Sequence, residues 1–229
     1  MKLYSIILFF LFPITAISQQ YITKSIKDFG ATGNGRTNDQ EAFTKASAFF
    51  NKRKGNGKLI IPKGTYIVGR QQFTGNKPNS DKVYKGEYAL DLIGCNNMVI
   101  EGKLGAVIKN ADSIRIGTFY PGTGKPFKHS MKDINIDPAY AKYASSAGIV
   151  LHVSQSGNIS ITGLTLDGNM DSFIFGGNWG SGRNAYELIH YGIYIIDSHD
   201  ITLNNCAIKN FACDGIYIAN VGKEVKTFN

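Results

Sequence analysis

Four side chains capable of proton transfer or stacking stand at equivalent positions along the chain. They are a carboxylate, an imidazole and two phenols: Asp91, His152, Tyr194 and Tyr217. Alternate residues of a strand share one face, so the four are expected to stack in one outward column. Carboxylates and imidazoles transfer protons, and phenols stack and donate hydrogen bonds. Tyrosine is also common on solvated strands, so the column fits a functional surface or a plain strand face.

The column follows from an internal repeat. The phrase Gly192-Ile193-Tyr194-Ile195 recurs 23 residues later as Gly215-Ile216-Tyr217-Ile218. A second phrase occurs three times, starting at Asn97, Asn158 and Asp200. A third short strand follows its last two copies, at 164–166 and 206–208. Three short strands in a period in the low twenties are typical of a parallel β-helix coil, so the sequence predicts an all-β fold of about five stacked coils.

Alternation within the repeat also assigns the interior of the fold. In the first strand of each coil, one set of apolar residues is expected to point inward: Leu151, Val153, Ile193, Ile195, Ile216 and Ile218. One coil cannot bury these side chains alone, whereas stacked coils can. The residues between them are expected to point outward.

Two long insertions, about 111–147 and 170–190, interrupt the repeat. Both fall between the third strand of one coil and the first strand of the next, so stacking would place both beside the column. Long loops inside a regular repeat are commonly functional. The second insertion supplies three further candidates for ligand contact, Trp179, Arg183 and Tyr186. The insertions therefore predict the walls of a groove on the first sheet.

One helix is expected before the repeat begins. Thr37 and Gln40 fit a capping box, in which the two side chains satisfy backbone N–H groups of the first turn. The apolar residues Phe43, Ala46 and Phe50 then recur on one face. A Gly-Asn-Gly sequence at 55–57 ends the helix, and two strands follow at 58–62 and 65–68.

Composition and charge limit the class of protein. With 43% hydrophobic and 18% charged residues, the 229-residue chain is not of the disordered type. A formal net charge of +8 leaves nucleic acid, a membrane surface or an anionic polymer as partners.

The first 18 residues predict a secretory signal. Lys2 precedes an apolar run over 6–12, and small residues at Ala16 and Ser18 fit a cleavage site after Ser18. The run is too short to span a bilayer, and no other segment of the sequence is apolar enough. We therefore expect a signal peptide over 1–18, a β-helix domain over 19–229, and a secreted or periplasmic monomer that does not bind nucleic acid.

Cysteines and acidic turn residues give no clear ligand set. The chain has three cysteines, Cys95, Cys206 and Cys213, which are too few and odd in number for a disulfide framework. We expect Cys206 and Cys213 to be buried thiols and not the two halves of a disulfide bridge. A looser set of aspartates fits either calcium ligands or β-turn residues: Asp167, Asp171, Asp197 and Asp200. The turn interpretation is preferred, and no metal ligand is assigned.

The N-terminal part of the domain resembles a known family. The segments 28–35 (Asp-Phe-Gly-Ala-Thr-Gly-Asn-Gly), 37–39 (Thr-Asn-Asp) and 57–66 (Gly-Lys-Leu-Ile-Ile-Pro-Lys-Gly-Thr-Tyr) are similar to the opening motif of the pectate lyase superfamily. The resemblance implies a right-handed parallel β-helix that acts on polysaccharides, as polygalacturonases do. It also implies that the helix caps the first coil.

The resemblance says less about activity, because the family includes hydrolases, lyases, epimerases and non-catalytic spikes. The sequence Cys213-Asp214-Gly215 resembles the Asn-Thr-Asp-Gly phrase of polygalacturonases, which implies a catalytic carboxylate at Asp214. Cys213 stands where the family has Thr, and an Asp-Gly pair is also a common turn. The remaining motifs of that family would lie beyond Asn229, so we expect the β-helix to continue past that residue.

These observations leave three functions open. A lyase would use a base, with His152 or His190 as candidates, and calcium is then a potential cofactor. A hydrolase would pair Asp214 with a second, unassigned carboxylate. Alternatively, the chain is a non-catalytic surface protein that binds glycans. In each case Tyr194, Tyr217 and Trp179 are expected to stack on sugar rings, and basic loop residues to meet an acidic polysaccharide.

Overall fold

The computed structural model describes residues 20–76, 82–126, 144–177 and 190–222. Within these ranges it shows a right-handed parallel β-helix built from three stacked sheets, with a fourth, mixed sheet beside them. The predicted fold class is confirmed. The strands are numbered in chain order below, and the sheets are called the first, second, third and side sheets.

The first sheet carries the outward column. Its strands are β7 (Leu90–Ile93), β12 (Leu151–Ser154), β16 (Ile193–Ile196) and β19 (Ile216–Ala219). All neighbouring strands are parallel, and their register pairs His152 with Asp91 on one side and with Tyr194 on the other. Tyr194 in turn pairs with Tyr217. The predicted column is confirmed residue by residue.

The second and third sheets complete each coil. The second sheet contains β1 (Ile22–Ser25), β3 (Gly55–Ile61), β8 (Asn96–Gly102), β13 (Gly157–Thr162) and β17 (His199–Asn204). The third sheet contains β2 (Asn34–Asn38), β4 (Gly64–Val68), β9 (Ala106–Asn110), β14 (Thr165–Asp167) and β18 (Ala207–Lys209). Every strand pair in these two sheets is parallel, as the repeat predicts.

The repeated polar residue near the start of the second strand has a backbone role. Asn97, Asn158 and Asp200 have φ angles of 53°, 52° and 54°. This left-handed region is one that Asn and Asp tolerate better than other non-glycine residues. The side chains also stack, since Asn158 Nδ2 donates to Asn97 Oδ1 at 2.8 Å. A bend in the same place of each coil therefore explains why the phrase repeats.

The interior is filled as the alternation predicts, except at the last coil. Leu151, Val153 and Ile193 are 2%, 0% and 0% exposed and belong to one continuous core. In β19, Ile216 and Ile218 are 41% and 59% exposed. Ile216 and Ile218 pair in register with the inward residues Ile193 and Ile195 of β16. They are exposed because β19 lies at the end of the described stack, where no further described strand covers it.

The helix α1 (Gln40–Lys52) forms where expected, but its first turn differs from the prediction. Phe43, Ala46 and Phe50 are each 0% exposed, which confirms the buried face. The capping box is wrong, because Asp39 is the N-cap residue and Thr37 lies in β2.

The predicted capping residues have other partners. Thr37 Oγ1 accepts from Asn34 Nδ2 at 3.0 Å, and the Gln40 N–H donates to Asn38 Oδ1 at 3.0 Å. The Gln40 side chain reaches away from the helix start, donating to Tyr88 O at 2.7 Å and accepting from the Gly69 N–H at 2.9 Å. These contacts join the helix to the first coil instead of closing its own first turn.

Helix α1 also lies along the open edge of β7. Ser47 Oγ accepts from the Asp91 N–H at 2.9 Å. Asn51 donates to Asp91 O at 2.9 Å and accepts from the Ile93 N–H at 3.0 Å. Backbone groups that a neighbouring strand would satisfy are therefore satisfied by two helix side chains, and the helix fixes the position of Asp91.

The side sheet is formed by the connections between the third and first sheets. Its strands are β5 (Gln71–Phe73), β6 (Tyr84–Gly86), β10 (Arg115–Thr118), β11 (Ala144–Ser145) and β15 (Ile174–Gly176). The described parts of both predicted insertions lie here, beside a third connection over 69–89 that the sequence did not single out. Two short 3₁₀ helices, Ile26–Phe29 and Met170–Ser172, complete the regular structure of the described residues.

Within the described ranges, no helix combines the length and apolar character that crossing a lipid bilayer requires. Cys95 is fully buried, and burial raises the pKa of its thiol to about 11. Cys206 and Cys213 are half-buried, and no disulfide joins them. The predicted signal peptide at 1–18 lies outside the described residues.

Candidate functional site

The centre of the column is a histidine–aspartate pair. His152 Nδ1 lies 2.7 Å from Asp91 Oδ1, so this nitrogen donates to the carboxylate when it carries the proton. The Asp91 side chain is 34% exposed and that of His152 only 11%. Because Nδ1 is occupied by the carboxylate, Nε2 is the nitrogen left to exchange a proton with a ligand.

Two tyrosines flank the imidazole. The Tyr88 ring lies 4.9 Å from the His152 ring, and the Tyr194 ring lies 5.3 Å from it on the other side. Tyr88 is 39% exposed, so its ring forms part of the accessible surface. The histidine is thereby held between two aromatic rings, with two phenol groups close to it.

Two more tyrosines extend the aromatic surface toward β19. The rings of Tyr191 and Tyr217 are stacked, with centroids 4.8 Å apart and an interplanar angle of 6°. Tyr194 lies 5.9 Å from Tyr191 and 5.4 Å from Tyr217. Tyr217 is 38% exposed, whereas Tyr191 is 7% exposed. The result is a continuous aromatic surface from Tyr88 to Tyr217.

The phenols beside His152 hold their protons strongly. Burial is the main cause that raises the pKa of Tyr88, and the charge of Asp91 adds to it. Burial also raises the pKa of Tyr194, with smaller effects from Tyr217 and Asp197. Near neutral pH both phenols therefore keep their protons and can donate hydrogen bonds.

A second row of residues runs beside the column, and most of it was not predicted from the sequence. The strand registers, continued three residues toward the N-terminus, align Tyr88, Ile149, Tyr191 and Asp214. Backbone bonds support this alignment, since the Gly192 N–H donates to Asp214 O at 3.3 Å and the Ala89 N–H donates to Ile149 O at 2.9 Å. The signal was available, because each of these residues stands three positions before a column residue.

Asp214 therefore lies in the second row and not in the column. Its carboxylate is exposed, and the Cys213 thiol lies 3.7 Å from Asp214 Oδ2. In the described part of the chain, no hydrogen bond or ion pair joins this carboxylate to His152 or Asp91. It borders the surface near Tyr217 and Tyr191.

His190, the other candidate base, is in the interior. It is 0% exposed and lies between the rings of Phe173 and Phe211, at 4.7 and 4.9 Å. The Ala212 N–H donates to its Nδ1 at 3.1 Å, and its Nε2 lies 2.9 Å from Asn110 Nδ2. Burial lowers its pKa to about 4. This histidine does not face the groove.

Three sequence-predicted contact residues, Trp179, Arg183 and Tyr186, lie outside the described residues. No cluster of three or more His, Cys, Asp or Glu side chains suited to a metal ion occurs in the described ranges. Asp167 and Asp197 instead accept hydrogen bonds from nearby turns, for example from the Asn169 N–H at 3.0 Å and the Val221 N–H at 2.8 Å.

No family model matches the chain. Among solved structures, it is similar to a family 28 exopolygalacturonase of Yersinia enterocolitica, with 14% identity and a TM-score of 0.45 over 88% of this chain and 41% of that one. It is also similar to the A-module of a mannuronan C-5 epimerase of Azotobacter vinelandii (19% identity, TM-score 0.39, 85% and 53%). A surface adhesin of Streptococcus pneumoniae gives 20% identity and a TM-score of 0.33 over 82% and 37%. The chain spans 53% or less of the length of each, and the similarity concerns the fold and assigns no activity.

Proposed function

We propose that this protein is a polysaccharide-degrading enzyme that cleaves an acidic glycan by elimination. The observation that supports the proposal is the His152–Asp91 pair on an outward sheet face, flanked by two protonated phenols. A base oriented by a carboxylate, with proton donors next to it, is the arrangement that abstraction of a carbon-bound proton needs.

The reaction assigns one step to each group. His152 Nε2 takes the proton from the sugar carbon that bears the uronate carboxylate, and Asp91 stabilises the imidazolium that forms. The electron pair of that C–H bond becomes a ring double bond as the bond to the glycosidic oxygen breaks. The leaving oxygen receives its proton from the phenol of Tyr194 or Tyr88, and water restores the phenol and the free imidazole.

A hydrolase is less well supported by the same residues. Hydrolysis of a glycosidic bond uses two carboxyl groups on opposite sides of that bond. Asp91 is occupied by His152, and Asp214 lies in the second row near Tyr217. An inverting or retaining mechanism would leave the imidazole between the tyrosines without a role.

Product analysis tests the proposal directly. Pectin, alginate and a neutral glycan are each incubated with the protein, and two signals are followed: ultraviolet absorbance of new unsaturated ends and the number of reducing ends. Elimination predicts both signals on at least one acidic polymer and neither on the neutral one. Reducing ends without the absorbance would instead identify a hydrolase and overturn the proposed reaction.

A second candidate function, non-catalytic glycan binding, is favoured by the stacked Tyr191–Tyr217 pair. Flat, partly exposed aromatic rings bind the apolar faces of sugars without any chemistry. In that case Tyr217→Ala would raise the Kd of an acidic oligosaccharide about tenfold, while prolonged incubation gives no product. Turnover that is lost in His152→Ala would exclude this alternative.

The proposal includes export of the mature domain 19–229. The charged start, apolar run and small residues of 1–18 support it. N-terminal sequencing of protein recovered from the periplasm or culture medium is expected to begin at Gln19. A retained Met1 in the exported protein would contradict the assignment of a cleaved signal.

A further inference from the structure

A cleft of about 920 Å³ lies next to the histidine–aspartate pair, on the side toward helix α1. Its walls come from the helix, from the connection before β7, and from the segment before β12. The lining residues from the helix are Thr44, Ser47, Ala48 and Asn51, and those from the other two walls include Lys85, Glu87, Tyr88, Ser146 and Ile149. Volumes of this size are typical of small-molecule sites and exceed what one sugar ring needs.

The cleft and the aromatic surface meet at two residues. Asp91 and Tyr88 line the cleft, and both also contact His152, through the 2.7 Å hydrogen bond and the 4.9 Å ring contact. A polymer lying over His152 would therefore continue into the cleft in one direction and over Tyr194 and Tyr217 in the other. The three features form one path along the first sheet.

Lys85 offers an exposed positive charge at the cleft. The Glu87 carboxylate lies 3.4 Å from Gln72 Nε2, and Asp91 is held by His152, so both acids of the lining already have partners. Lys85 is exposed at the cleft and, among the described residues, forms no ion pair. A carboxylate or sulfate group on the ligand would form the ion pair that Lys85 does not form with the described residues of the protein.

Several polar side chains that line the cleft form hydrogen bonds within the fold. Ser47 and Asn51 bond to the backbone of β7, and Ser146 Oγ accepts from the Gly86 N–H at 3.2 Å. The side chain of Ala48 is exposed to the cleft and occupies little of it. The group left free to recognise a ligand is therefore the exposed Lys85, while the hydrogen-bonded side chains keep the cleft in a fixed shape.

We propose that this cleft is a binding subsite for anionic sugar units adjacent to the unit that reacts at His152, with Lys85 as the residue that recognises their charge. The inference rests on the proposed function and adds the direction of the bound chain: along the β-helix axis, from the helix α1 side to Tyr217.

Titration calorimetry measures the binding of two hexamers, oligogalacturonate and oligomannuronate, to the full chain. Ala48→Trp fills the cleft and is expected to raise the Kd of the bound hexamer about tenfold or more. Lys85→Ala is expected to raise it about two- to fivefold and to weaken its salt dependence. Matched controls are Ala207→Trp and Lys27→Ala, exposed residues away from the cleft, which should leave Kd unchanged.

The outcomes separate the two proposals. If the unsubstituted protein binds a hexamer and Tyr217→Ala weakens that binding, but Ala48→Trp and Lys85→Ala do not, the subsite inference is overturned and the proposed function stands. If the unsubstituted protein binds neither hexamer, the acidic-glycan function fails and the subsite fails with it. Losses confined to the two cleft variants and absent from their controls support the subsite.

Discussion

His152 Nδ1 lies 2.7 Å from Asp91 Oδ1, although the two residues are 61 positions apart in the chain. They belong to adjacent coils, and parallel pairing of β7 with β12 places them opposite one another. Ser47 and Asn51 of helix α1 hold the backbone of Asp91 from the other side. The pair is therefore fixed by the strand register and by the helix together.

Removing the charge of Asp91 tests its proposed role. Asp91→Asn keeps the size of the side chain and an oxygen that can accept from Nδ1, but it no longer stabilises the imidazolium. We expect kcat to fall on the order of 100-fold or more while the Kd of an acidic hexasaccharide changes little. The matched control is Asp200→Asn, because Asp200 is paired with the exposed His199 at 2.8 Å away from the column. Equal kcat values for Asp91→Asn and the unsubstituted protein would contradict the role.

Tyr194 separates stacking from proton donation. Tyr194→Phe retains the ring 5.3 Å from His152 but removes the hydroxyl that would protonate the leaving oxygen. We expect the Kd to stay within about twofold and kcat to fall about 10- to 100-fold, with Tyr88 supplying the remaining activity. Tyr21→Phe, on an exposed residue before β1, is the control. A variant with weaker binding and unchanged kcat would make Tyr194 a binding residue only.

Helix α1 is proposed to protect the edge of β7. Asn51→Ala removes hydrogen bonds to Asp91 O and the Ile93 N–H and leaves these groups without their side-chain partner. The free energy of unfolding is expected to fall by about 1–3 kcal/mol, as measured by denaturant titration. Lys52→Ala, on an exposed neighbour in the same helix, should change it by less than about 0.5 kcal/mol. Similar losses in both variants would argue against a specific role of the edge contacts.

Burial of His190 predicts a pH-dependent stability. Its pKa is lowered from an ordinary 6.5 to about 4 in the folded protein, because the ring is buried. Between these values the unfolded chain binds a proton that the folded chain does not, so stability falls as pH falls. The loss between pH 6.5 and pH 4 amounts to roughly 3 kcal/mol from this residue.

Denaturant titrations at several pH values check this loss. His190→Gln is less stable at neutral pH but should show a flatter dependence of unfolding free energy on pH between 6.5 and 4. His199→Gln, at an exposed position, should retain the slope of the unsubstituted protein. The same slope in all three proteins would mean that burial does not lower the pKa of His190.

The column was predictable because a parallel β-helix has a simple register. Residues at equivalent positions of the repeat must stack, so Asp91, His152 and Tyr194 are brought together by spacing alone. The hydrogen bond between Asp91 and His152 was not predictable, since it depends on side-chain rotamers. Tyr88 and Tyr191 were missed because they precede the strands, where alternation no longer assigns a face.

The capping box failed for a reason that local sequence does not contain. Thr37 belongs to β2, which pairs with β4, and Asp39 accepts hydrogen bonds from the Thr32 and Gly33 N–H groups at 2.7 and 3.0 Å. Tertiary pairing thus moved the N-cap from the predicted Thr37 to Asp39. The contacts of helix α1 with β7 likewise join segments 40 or more residues apart, which no window of sequence reveals.

The central claim is that His152 is the base of an elimination reaction on an acidic glycan. The most direct measurement is the rate at which unsaturated ends form on the acidic polymer that the unsubstituted protein cleaves, compared for His152→Ala and the surface control His199→Ala. We expect a loss of about 100-fold or more in His152→Ala at unchanged glycan affinity, and an unchanged rate in His199→Ala. Undiminished formation of unsaturated ends by His152→Ala would contradict it.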